Sequence, residues 1–136
     1  MLGDWLAQNF SIMNLQFSRK ELVAIIALAD TMIKADGKID PREQMTFALE
    51  MTRLGARQDN WSDLLADSQK IEPEVIISTI SSLGNESKKY VAAFLTTLMA
   101  VDGNIADAER KLWNMVSILC KLPTMSVKEA LATLNK

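Results

Sequence analysis

With 136 residues, 49% of them apolar and 24% charged, the chain has the length of about one domain and ample material for a core, which excludes a disordered chain. A net charge of −2 gives no electrostatic footprint for nucleic acid. One cysteine, Cys120, excludes an intrachain disulfide and fits a reducing compartment; the absence of histidine removes the commonest general base and the usual imidazole ligand of zinc sites.

The pattern predicts an all-α fold of about 7–8 helices. Residues 1–17 form an apolar arm (Trp5, Leu6, Phe10, Ile12, Met13, Leu15, Phe17) in which a short helix over 4–13 is expected. The arm has no basic n-region and carries Asp4 early, so it does not read as a signal peptide. The longest apolar run, 23–29, is far short of a membrane span, which needs roughly 20 residues, and the expectation is a soluble, cytoplasmic protein.

Ser18-Arg-Lys-Glu21 is a capping box, and Leu22, Ile25, Ile26, Ala29 and Ile33 continue it at helical spacing until Gly37. Asp40-Pro-Arg-Glu43 opens a second helix with an acidic cap and proline at its first position, ending near Leu54 before Gly55. Asn60-Trp-Ser-Asp63 starts a short third helix to about Ser68. Glu72-Pro73 starts a fourth, closed by Gly84; a fifth runs from about Glu86 to Val101, a sixth from Asp107 to about Lys121 before Pro123. Ser126-Val-Lys-Glu129 caps the last, to about Leu134.

Shifting the sequence by 66 residues aligns Ala35-Asp-Gly-Lys-Ile-Asp-Pro-Arg-Glu43 with Val101-Asp-Gly-Asn-Ile-Ala-Asp-Ala-Glu109, and the register holds without a gap. Ala27 meets Ala93, Met32 meets Leu98, Phe47 meets Trp113 and Leu49 meets Met115. This predicts one domain, 1–136, with repeat one at 18–69, a connector helix at 73–83 and repeat two at 84–135, packed about a pseudo-two-fold axis.

The repeated element is Asp-Gly-x-Ile-x-x-x-Glu. Laid on the EF-hand loop it places Asp36 at position 5 and Glu43 at position 12, but Met32 and Lys34, then Leu98 and Ala100, occupy positions 1 and 3. An ammonium about 4 Å from a cation opposes it by roughly 4 kcal/mol at an effective dielectric near 20, so neither copy is an EF-hand. As structure, glycine ends one helix, isoleucine plugs the core, and Asp40, Glu43, Asp107 and Glu109 favour the next N-terminus. Asp36 and Asp102 fit that account less well: an anion beside a helix C-terminus sits at the unfavourable end of the dipole, in both copies.

The Ala-Asp-Gly-x-Ile-x-x-x-Glu element, answered by a second Asp-Gly element in a second helical pair, resembles the TerB (tellurite-resistance) family over about 22–134. It also resembles the TerB-like domain at the N-terminus of some membrane-anchored DnaJ co-chaperones. The resemblance implies a compact, non-enzymatic helical bundle linked to bacterial stress and tellurite response, with acidic residues binding a divalent metal. Carried over by motif, those residues are Asp36, Asp40 and Glu43, then Asp102 and Glu109. Ala106 departs from the pattern and Asp107 follows one position later, which puts a symmetric two-metal site in doubt. With oxygen ligands only, the cofactor expected is Ca²⁺ or Mg²⁺.

Other candidates reduce to structure. Asp30 reads as a surface residue paired with Lys34; Trp61, Trp113, Met45, Met51 and Met115 read as core; Cys120 reads as a buried, inert thiol. No phosphate-binding glycine loop and no serine with a base partner is present. Three functions remain open: a metal-binding TerB-like module that engages protein partners, a metal-free interaction scaffold in which the motif is capping alone, and a carboxylate hydrolase, ranked last. The N-terminal arm either caps the bundle or docks on a second copy or a partner.

Overall fold

The structure, a computed structural model, describes residues 17–35, 40–54, 59–101 and 107–135, and is all-helical over them. Seven helices follow in order: α1 (Arg19–Lys34), α2 (Pro41–Arg53), α3 (Trp61–Ser68), α4 (Pro73–Ser81), α5 (Asn85–Ala100), α6 (Asp107–Leu119) and α7 (Val127–Leu134). The expected helix over 4–13, and Gly37, Ile39, Gly55, Gly103 and Ile105 of the turns, lie outside the described residues.

Local chemistry sets most of these boundaries. Ser18 accepts a hydrogen bond from the Glu21 amide (3.1 Å), and the Glu21 carboxylate accepts one from the Ser18 amide (2.8 Å). Asp40 caps α2 with proline following at its first position. Asn60 departs from expectation: its backbone is helical rather than extended, so its side chain makes no cap hydrogen bond. Ser126 accepts from the Glu129 amide, but its hydroxyl, rather than its amide, donates to the Glu129 carboxylate (3.3 Å), so the reciprocal half of that box is not formed.

Between Glu21 and Asp30, α1 carries no charge, and it buries every residue from Leu22 to Ala29 plus Met32 and Ile33. Likewise α5 buries every residue from Tyr90 to Met99. A helix apolar on all sides must be surrounded. These two form the centre and pack on each other; α3 and α4 lie on α1, α7 lies on α5, and α2 and α6 each touch both central helices.

Helices α5, α6 and α7 begin and end 66 residues after α1, α2 and α3, residue for residue. Their buried positions coincide as well: Glu43, Phe47, Glu50 and Met51 of α2 answer Glu109, Trp113, Val116 and Ser117 of α6, and Leu64 and Ser68 of α3 answer Ala130 and Leu134 of α7.

Two expected core residues are corrected. Met45 is 66% exposed and Met115 is 54% exposed. The inward stripe of α2 is set by Glu43, Phe47, Glu50 and Met51, which leaves Met45 and Leu49 on a second, outward apolar stripe. Such a helix offers two apolar faces, and spacing alone does not choose between them. Met51 and Trp113 are buried as expected, whereas Trp61 is half-buried, its ring edge-on to Phe47 at 5.7 Å.

Candidate functional site

Asp36 and Asp102, the aspartates that fit capping least, lie outside the described residues. The described parts of the two acidic turn-arounds divide into caps and buried groups. The Asp40 carboxylate accepts from the Arg42 amide (2.7 Å), Nε (3.2 Å) and Nη2 (3.1 Å). These bonds to the Arg42 side chain and then to its backbone hold Asp40 below the usual carboxylate range. Asp107 is the exposed first residue of α6, where its charge favours the helix dipole. Glu43 and Glu109 are 3% and 2% exposed, each in the first turn of its helix, and they occupy the same position of the 66-residue register. Among the described residues no group of three or more acidic or cysteine side chains is placed to hold a metal ion.

A second polar constellation escaped sequence reasoning. Tyr90 of α5 donates from Oη to Glu50 Oε2 of α2 at 2.6 Å; Arg53 donates from Nη1 to Glu50 Oε1 (2.9 Å) and from Nη2 to the Leu134 carbonyl of α7 (2.9 Å). The Glu50 carboxylate thereby joins α2 to α5, and the Arg53 guanidinium carries the link on to α7. Burial, the Glu50 charge and the hydrogen bond to Glu50 push the Tyr90 phenol far up. The signal in the sequence was a tyrosine at a core position of α5, since a buried phenol needs a partner, and a glutamate three residues before an arginine.

Asp30 pairs with Lys34 at 3.0 Å, as expected of a surface pair. Cys120 is buried, and burial pushes its thiol up against the opposing pull of Lys88, which disfavours the thiolate.

An open groove of about 690 Å³ runs between the first turns of α5 (Asn85, Glu86, Lys88, Lys89) and the segment 121–125, with Glu129 of α7 on its edge. Leu122, Pro123 and Met125 are the apolar part of its lining. Lys121 holds a left-handed backbone (φ 57°) as α6 ends: its amide bonds the Ile118 carbonyl (3.3 Å) and the Leu122 amide bonds the Ser117 carbonyl (2.9 Å).

The chain is 43% identical to a protein of unknown function, PG1108 from Porphyromonas gingivalis W83, whose crystal structure it matches with a TM-score of 0.79 over 90% of this chain and 92% of that one. The chain belongs to the family of that protein. No family model and no curated protein matches it. Among the described residues no helix is long and apolar enough to cross a membrane.

Proposed function

We propose that the chain is a non-enzymatic, TerB-like helical module of the kind linked to bacterial stress and tellurite response, made of two three-helix units related by an internal pseudo-two-fold axis, and acting as an interaction scaffold. The observation that carries this reading is the 66-residue register. It recurs in helix boundaries and in buried positions, and the packing follows it: α1 on α3 is answered by α5 on α7, and α2 on α5 by α6 on α1. On this reading the acidic motif closes helices. Asp40 is already engaged by three Arg42 donors, and Asp107 sits where a carboxylate favours a helix start.

A second reading keeps Ca²⁺ or Mg²⁺ at the turn-arounds, with Asp36, Asp40 and Glu43, then Asp102, Asp107 and Glu109, as oxygen donors. It is favoured by the burial of Glu43 and Glu109 at equivalent positions, which helix capping alone does not require. Thermal unfolding of the wild type and of Asp36→Ala/Asp102→Ala, across calcium and magnesium titrations, separates the two. A cation bound only by the native state adds about 2.7 kcal/mol at a hundred times its dissociation constant. Scaffolding predicts no rise in melting temperature for either protein; a rise in the wild type that the double variant loses replaces it with the metal reading.

A further inference from the structure

We infer that the groove between α5 and α7 binds a small amphipathic molecule carrying a phosphate group, with the phosphate held by Lys88, Lys89 and Lys121 and the apolar body laid on Leu122, Pro123 and Met125. The volume, about 690 Å³, lies within the range of small-molecule sites. Three lysines from two separate elements line it, and among the described residues none of the three has an ion-pair partner. Lys88, Lys89 and Lys121 outnumber Glu86 and Glu129 in this lining, so the groove keeps a net positive charge that a bound anion offsets.

Helical register does not demand these lysines. The positions 66 residues earlier are Leu22, Val23 and Gly55, and the first two are buried in the core. Lys121 is the costliest of the three: glycine takes a left-handed backbone freely, whereas a side chain there is strained. The chain therefore carries an ammonium at a position where local energetics favour glycine.

The rest of the lining narrows the ligand. Glu86 and Glu129 also face the groove and offset part of its positive charge, which disfavours an extended polyanion. A compact phosphate can still sit among the ammonium groups, and lysine serves phosphate as a point charge. The apolar lining residues give no purchase to inorganic phosphate alone, so an attached hydrophobic body adds affinity. The inference does not rest on the TerB-like reading, and neither outcome of the metal titration bears on it.

Phenyl phosphate is the probe, titrated into the full chain and followed by amide chemical shifts and thermal unfolding. The expected result is a dissociation constant on the order of 1 mM, with shifts confined to residues 84–89 and 121–126. Lys88→Gln/Lys89→Gln weakens binding by more than roughly tenfold, as loss of charge-assisted contacts requires. Lys121→Gly raises the melting temperature without the probe and still weakens probe binding, a combination that misfolding cannot produce. Absence of shifts in the wild type at saturating probe overturns the proposal. So does equal weakening by Lys20→Gln, a lysine outside the groove, because screening by general charge would then account for the binding.

Discussion

The two central helices begin in different ways and then become alike. In α1 a full capping box at Ser18 and Glu21 leads straight into buried Leu22 and Val23. In α5, Gly84 offers no side chain, Lys88 and Lys89 take the corresponding places, and burial starts only at Tyr90. From there the positions run in step: Ala27 with Ala93 and Met32 with Leu98 are buried in both. The difference teaches which parts of a helix the core dictates. Its middle is held by packing on all sides, while its first turn answers to solvent and is open to other chemistry.

The largest test of that comparison falls on the shared positions. Met32→Ala and Leu98→Ala each remove a side chain that is fully buried, and each should cost about 2–5 kcal/mol in denaturant unfolding. A loss at one site well under half that at the other would break the equivalence of the two central helices.

The next test uses a feature that only one side possesses. Tyr90 stands where α1 has Ala24, and Glu50 stands where α6 has Val116. Tyr90→Phe leaves a buried carboxylate oxygen short of its donor and should cost about 1–3 kcal/mol. The pH dependence is specific. The folded phenol keeps its proton above the pH, about 10, at which the unfolded chain loses it, so the contribution of Tyr90 is complete below that pH and lost as pH rises further. Unfolding followed between pH 8 and 11 should show alkaline destabilisation in the wild type that Tyr90→Phe reduces; equal slopes in both proteins would contradict it.

The smallest effects lie at the helix starts. Ser18→Ala should cost about 1 kcal/mol, whereas Gly84→Ser should gain a few tenths of a kcal/mol. The backbone at Gly84 is already extended as a cap requires, and nothing lies within 4 Å of a Cβ built there. If Gly84→Ser destabilises, the bare start of α5 has a structural purpose that capping does not describe.

Much of this architecture was legible in the residues themselves. Ser18 with Glu21, Asp40 with Pro41, and Pro73 each mark a helix start by satisfying or dispensing with backbone donors within a few residues, so no distant contact was needed to place them. Apart from the Asn60 cap, which its own helical backbone undid, the sequence reading fell short where the deciding contact came from another helix. Met45 and Met115 have core-like spacing, but the neighbours of α2 and α6 cover the other stripe. Glu50 looks like a surface residue beside Arg53 until α5 brings the Tyr90 hydroxyl to 2.6 Å.

By itself, then, the sequence determined the all-helical class, the order and limits of the helices and their 66-residue spacing, because capping and periodicity act over one or two turns. Only the tertiary structure decided which apolar stripe faces inward, which carboxylates are buried, and which lysines line one groove. Those outcomes depend on side chains distant along the chain arriving at one place, and burial and charge take their energies from that meeting.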